Sequence, residues 1–218
     1  MFTHSEENYL KTIYHLAAFS EGGISTNAIA QKLETKASSV TDMIQKLSAK
    51  NLLEYKKYQG VALTDSGKKA ATNIIRKHRL WEVFLVEKLK FSWDEVHDIA
   101  EQLEHIQSPK LIDELNAFLE FPKYDPHGDP IPDKEGNLHI IKKKLLSGLS
   151  EGEKGICVGV KDSSAAFLQF LDKQKIALGK EIKIHAKETF DNSFVLIVDG
   201  RKISISNKIS NNLYIQTT

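Results

Sequence analysis

The sequence predicts a mainly α-helical chain that closes with a small β domain. Three observations carry this. Apolar residues recur at helical spacing through much of residues 5–119, four of the five prolines fall together in residues 120–137, and short strand-like runs separated by turn residues take over after residue 149. The 218 residues, 41% of them hydrophobic, leave room for one to three domains with real cores. The pattern divides them at 1–64, 65–137 and 138–218. A net charge of +1 excludes neither nucleic acid nor protein partners, because a local basic patch fits within that balance. The single cysteine, Cys157 in the run GICVGV, reads as a small buried hydrophobe. No intrachain disulfide is available to it, which fits a reducing, cytoplasmic setting. No apolar run approaches the roughly 18 residues of a membrane span, and the polar, acidic start MFTHSEEN does not read as a signal peptide.

Residues 5–19 form the first amphipathic helix, with Tyr9, Ile13, Leu16 and Ala17 as its stripe and Thr3 or Ser5 as its cap. Asn8 lies one residue off that stripe, where an ordinary surface amide is the plain reading. A short helix after Ser25 (Ala28, Ile29, Ala30, Leu33), a turn at Glu34-Thr35-Lys36 and a second helix (Val40, Met43, Ile44, Leu47) follow. Two short helices joined this tightly make a helix-turn-helix. Residues 55–64 read as a hairpin turning near Gln59-Gly60, and a hairpin in that position is a wing. Lys56, Lys57 and Tyr58 lie on it, as phosphate contacts or as a solvated tip. Ser38, Ser39, Thr41 and Asp42 come early in the second helix, where base edges are reached, and Lys46 follows as a phosphate contact or a solvated charge.

Thr64 caps a long basic helix from Asp65, residues 93–107 form another helix, and Pro109 opens a third. Their apolar residues (Leu80, Trp81, Phe84, Leu85, Leu111, Leu115, Phe118, Leu119) exceed what a small helical unit buries alone, so a helical homodimer interface is expected. After the proline-rich loop, five strands near residues 153–162, 180–188, 193–200, 201–206 and 212–217, interrupted by a helix over 163–175, fit an SH3-like β-barrel.

The chemistry concentrates between His78 and His105. His78 and Glu82 are one helical turn apart, and His97, Glu101, Glu104 and His105 share an arc of about 100° on the next helix. Imidazole and carboxylate at this spacing suit a divalent first-row metal. Asp94, Glu95 and Asp98 make the same helix acidic anyway, so a solvated acidic face and a structural cluster stand beside the metal reading. There is no HExxH, which removes the zinc-peptidase arrangement.

Taken in order, the helix-turn-helix, the wing and the His/Glu helices resemble the diphtheria-toxin-repressor family of metal-dependent bacterial repressors. The stretches SSVTDMIQKLSAKNLLEYKKYQGVALTDSGKKA, RKHRLWEVFL, EVHDIAEQLEHI and PHGDPIP carry the resemblance, and the last 70 residues resemble the family's FeoA-like SH3 domain. The resemblance implies a winged helix-turn-helix, a helical dimerisation domain and an SH3-like barrel. It implies a primary metal site of Asn8, Glu101, Glu104 and His105. The manganese-sensing branch has Asp and Glu at the first two of these positions and the iron-sensing branch Met and Cys, so Glu101 is manganese-like while Asn8 matches neither. Lys11 falls where one manganese-sensing subgroup has a bridging Glu. His78, Glu82 and His97 resemble the ancillary site. Two barrel ligands align with Ser163 and Ala166 and are lost, which leaves Asp125, His127 and Asp162 as substitutes.

The implied function is an Mn²⁺- or Fe²⁺-dependent repressor that binds palindromic double-stranded operators of metal-homeostasis genes as a dimer, and is not an enzyme. A metal that fixes the relative orientation of two domains sets the distance between two recognition helices, which must match major grooves about 34 Å apart. The rivals are a metal-independent winged-helix regulator with a structural His/Glu cluster and a metalloenzyme built on the same cluster.

Overall fold

The computed structural model describes residues 2–20, 22–56 and 59–217, so Lys57 and Tyr58 of the expected wing lie outside the described residues. The chain divides into two compact units. One is Met1–Trp81 with Ala100–Phe121 and Ile131–Leu138; the other is Glu82–Ile99 with Pro122–Pro130 and His139–Thr218.

In the first unit, α1 (His4–Ala17) opens on a reciprocal capping box between Thr3 and Glu6. α2 (Thr26–Lys32) is capped by Ser25, and the chain turns through Glu34 in the left-handed region into α3 (Ala37–Ala49). Asn51, also left-handed at φ 56°, ends that helix segment and redirects the chain into the hairpin β1 (Leu53–Lys56) and β2 (Gly60–Leu63). Gly60 supplies the φ of +90° that the turn requires. Leu10, Ile13, Ile29, Val40, Ile44, Leu47 and Val61 pack into one core, so helix-turn-helix and wing form one body. Truncating Ile44 there is expected to cost about 2–5 kcal/mol.

α4 (Asp65–Glu87) starts from Thr64, whose hydroxyl accepts from Gly67 N at 3.0 Å and donates to Asn51 O at 2.7 Å. α5 (Val96–Leu103) is shorter than the expected 93–107, because Trp93 to Glu95 form a turn and Glu104 and His105 lie in the turn that closes the helix. Glu104 N still donates to Ala100 O at 2.8 Å, which keeps both in helical register. α6 (Pro109–Phe118) carries Pro109 at its first turn behind the Ser108 cap. Most of the apolar set of these helices is buried within the chain, while Leu111 and Phe118 of α6 remain exposed with Ile106 and Phe121.

In the second unit, β3 (Lys144–Leu145) and a 3₁₀ turn at Leu146–Gly148 lead into β4 (Lys154–Val160), α7 (Ala165–Gln174), β5 (Glu181–Lys187), β6 (Phe194–Val198), β7 (Arg201–Ile205), α8 (Asn207–Ser210) and β8 (Leu213–Gln216). All five expected strands and the interrupting helix are present; the two-residue β3 and the single-turn α8 are additions. The strands form one antiparallel sheet in the order β3-β8-β4-β5-β6-β7. Alternate residues (Ile182, Ile184; Phe194, Leu196, Val198; Leu213, Ile215) point into its core, where α7 adds Leu168 and Leu171. Register shifts at Cys157/Gly159 and Ile184/Ala186 bend the strands and give the SH3-like curvature. Cys157 is buried and unpaired, and burial pushes its thiol up to about 11, as suits an inert core residue. Among the described residues no helix is long and apolar enough to cross a membrane.

Candidate metal centres and nucleic-acid interface

On α1, Glu7, Asn8 and Lys11 share an arc of about 100°. The ammonium of Lys11 bonds the Glu101 carboxylate at short range and lies 2.7 and 2.8 Å from the two oxygens of Glu104. Glu104 is fully buried and also meets His78 Nδ1 at 2.6 Å. His78, Glu101 and Glu104 each offer a ligand atom within 4.8 Å of the others. His105 turns to Glu7 instead, with Nδ1 2.5 Å from Oε2 and its ring stacked on His4 at 4.1 Å.

Burial opposes ionisation of Glu7, but bonds from His105, Gln107 (2.7 Å) and Lys77 (3.2 Å) outweigh it and hold the carboxyl below its usual range. An ionised carboxylate only accepts, so Nδ1 of His105 carries the proton and a neutral ring keeps its lone pair on Nε2. Asn8 Oδ1 is buried and has no hydrogen-bond partner among the described residues. An orphaned buried acceptor costs about 1–3 kcal/mol and marks a place where a donor or a cation belongs.

The second cluster centres on Glu82. His97 Nδ1 lies 3.3 Å from Glu82 Oε1, and His127 Nδ1 lies 3.7 Å from Oε2, an ion-pair distance rather than a hydrogen bond. Glu82, Asp125 and His127, all buried, offer ligand atoms within 4.8 Å of one another. The imidazole of His127 stacks on Trp93 at 6.3 Å, and its Nε2–H donates to Trp93 O at 2.8 Å, so Nδ1 is the nitrogen aimed at the carboxylates. Burial works against a charged ring, yet Glu82 and Asp125 outweigh it and push the His127 pKa up to about 9. Such a pocket selects positive charge.

The loop that carries Asp125 and His127 is fixed by hydrogen bonds to its backbone. Asp125 Oδ1 accepts from His127 N (2.9 Å) and Asp129 N (3.0 Å), and Val160 N on β4 donates to His127 O (2.9 Å). Gly128 sits at φ +84°, so close to β4 that a Cβ there would fall 2.1 Å from Val158 O.

His97 Nδ1 meets Glu82, and His78 Nδ1, one turn earlier on α4, meets Glu104. Asp162 is not part of the Glu82 cluster; its Oδ1 accepts from Ser164 N at 2.9 Å, at the entry to α7. Glu7 takes the Nδ1 of His105, which leaves Nε2 as the nitrogen that could serve a metal.

On α3, Ser38, Ser39, Thr41, Asp42 and Lys46 are exposed, opposite the buried Val40, Ile44 and Leu47. Thr41 Oγ1 donates back to Ala37 O at 3.0 Å, and Lys46 Nζ is drawn 3.1 Å from Glu6, which also takes Lys50 at 2.6 Å. Lys56 is exposed on β1.

Comparison with known proteins gives this geometry its context. The N-terminal DNA-binding domain of iron-dependent repressors matches residues 1–61, their metal-binding and dimerisation domain residues 64–133, and the FeoA domain residues 144–217. The HTH-type transcriptional regulator MntR of Oceanobacillus iheyensis is 38% identical over 125 residues, which are 57% of this chain and 84% of that protein. The chain belongs to the iron-dependent repressor family, that of the diphtheria toxin repressor.

Solved structures extend the family match over the whole chain. A manganese-dependent transcriptional repressor in complex with manganese aligns with a TM-score of 0.85 at 31% identity, covering 98% of this chain and 100% of that one. ScaR with bound Zn²⁺ aligns with a TM-score of 0.76 at 36% identity, covering 98% and 99%. As a member of the family the chain is a metal-dependent transcriptional repressor with a DNA-binding and a dimerisation domain. The metalloenzyme and metal-independent readings fall away. Glu7 and Trp93, which hold the rings of His105 and His127, carried no sequence signal: Glu7 and His105 are 98 positions apart, and no periodicity links them.

Proposed function

We propose that this repressor responds to Mn²⁺ or Fe²⁺ in the cytoplasm and binds palindromic operators of metal-homeostasis genes as a homodimer. The observation that carries the choice of metal is the donor set around α1. Asn8 Oδ1 is buried without a partner among the described residues, and the Glu101 and Glu104 carboxylates converge on Lys11 of the same helix. Oxygen donors with imidazole and no sulfur suit Mn²⁺ and Fe²⁺ better than softer ions.

One ion would be held by Asn8, Glu101, Glu104 and His105, and a second by Glu82, Asp125 and His127, with His97 beside Glu82; His78 orients Glu104. When bound, the first ion supplies a positive charge that α1 and the end of α5 share. The chain's own residues do the rest. Glu7 fixes which nitrogen of His105 is presented, Trp93 does the same for His127, and α1, packed on α2 and α3, passes its position to the recognition helix. Ser38, Ser39, Thr41 and Asp42 would read bases, while Lys46, Lys56, Lys57 and Tyr58 would meet phosphates. A division at 1–64, 65–137 and 138–218 is supported by the three matched domains.

The test is an operator titration with Mn²⁺, anaerobic Fe²⁺, Zn²⁺ or chelator, on the wild type and Glu101→Cys. Mn²⁺ and Fe²⁺ should confer the greatest DNA affinity, and the substitution should weaken the Mn²⁺ response. Tight operator binding in chelator would remove metal as the effector, and equal activation by Zn²⁺ would show that these oxygens do not set selectivity.

A further inference from the structure

Lys11 is a group that the metal reading does not absorb. Its side chain is only 12% exposed, and Nζ contacts the carboxylates of both Glu101 and Glu104, 90 and 93 residues away. Its chief partner Glu104 is wholly buried, so this is not a solvated surface pair. We propose that Lys11 is a resident competitor for the metal: its ammonium fills the cradle between Glu101 and Glu104, and a divalent ion enters that cradle only by displacing it. The proposal rests on the reading of these two carboxylates as metal ligands.

Three features support an exchange over a permanent ion pair. Ammonium and metal ion seek the same oxygens, and two positive charges a few ångströms apart repel strongly where water is scarce. Lysine carries its charge on a flexible four-carbon stem that can swing away, which a fixed guanidinium fork does less readily. Lys11 is also an incomplete occupant. Asn8, three residues earlier on α1, keeps a buried oxygen that the ammonium leaves unserved.

The consequence is a set point. With Lys11 in place, the metal-free protein holds two carboxylates together without a metal, and the free ion must reach a higher concentration before it enters. Removing the ammonium should therefore have opposite effects on the two forms.

The experiment titrates Mn²⁺ into the full-length protein, reading free ion by its electron paramagnetic resonance signal, for wild type, Lys11→Met, Lys11→Gln and Glu104→Gln. Thermal unfolding of each metal-free form is measured alongside. Glu104→Gln identifies the binding phase that belongs to this cradle. In that phase, Lys11→Met should bind Mn²⁺ at least tenfold more tightly than wild type, and its metal-free melting temperature should fall. Lys11→Gln, which keeps hydrogen-bonding capacity without the charge, should behave in the same direction and serves if the methionine variant does not fold. Unchanged or weaker affinity in the Lys11 variants, with the Glu104-dependent phase still present, overturns the competition and leaves the ligand assignment standing. If Glu104→Gln alters no phase, the carboxylates are not ligands and both ideas fail.

Discussion

Gly128→Ala tests whether the second cluster depends on the docking of its loop. The perturbation is one methyl group, placed 2.1 Å from Val158 O, roughly 1 Å inside the closest approach real Cβ atoms make. Gly128 also holds φ +84°, a conformation that costs alanine about 1–2 kcal/mol. Relieving the clash moves the loop off β4 and breaks the bond from Val160 N to His127 O, worth about 1 kcal/mol. The combined cost is about 2–3 kcal/mol, and it falls on the residue next to His127. Charged against metal binding, that is roughly a 30- to 150-fold loss of affinity at the Glu82, Asp125 and His127 cluster. The assay is an Mn²⁺ titration resolved into two phases, with circular dichroism to show that both units remain folded. The Asn8, Glu101, Glu104 and His105 phase should be unchanged. If Gly128→Ala binds both ions as the wild type does, the loop's docking does not position His127 and the argument is wrong.

Glu7→Gln should weaken Mn²⁺ binding about 10- to 100-fold while the chain stays folded, because the carboxylate that orients His105 loses its charge; calorimetry against the wild type checks this. The Glu6 carboxyl, where burial is outweighed by Lys50, Thr3 and Lys46, is lowered from 4.5 to about 2. Its folded value is depressed, so its contribution is present above pH 4.5 and is lost as pH falls toward 2; urea midpoints across that window should depend less on pH in Glu6→Gln. Lys56→Ala should weaken binding to all duplexes alike and flatten the salt dependence, whereas Ser39→Ala should act at particular base positions, as measured by titrations on operator variants.

The fold was legible where it rests on local periodicity. The stripes of α1 and α3, the Thr64 cap, Pro109 at the start of α6 and the alternation in β5, β6 and β8 all lie within a few residues of their cause. α5 was read too long because Trp93 and Ile106 continue its apolar pattern. Trp93 spends its indole on the second unit's core and on Asp172, 3.1 Å from Nε1, and leaves the helix to do so. Asp162 is a related case: a carboxylate two residues before a Ser amide is caught by the local backbone, which spacing from a distant cluster cannot reveal.

The candidate ligands divide along the same line. Those on one helix were visible as i, i+4 and i+3 pairs, but their partners were not, because Glu7, Lys11 and Trp93 act through contacts 34 to 98 positions long. Periodicity can nominate groups that face one way. It cannot say which of them a neighbouring element has already engaged, and that prior engagement decides what a metal ion must displace. His78 illustrates the point: its spacing to Glu82 is ideal, and its Nδ1 also lies 2.6 Å from a buried carboxylate 26 residues away, which no helical spacing reveals. Ligand sets read from spacing alone therefore have to be tested residue by residue, beginning with those whose ring nitrogens are already held.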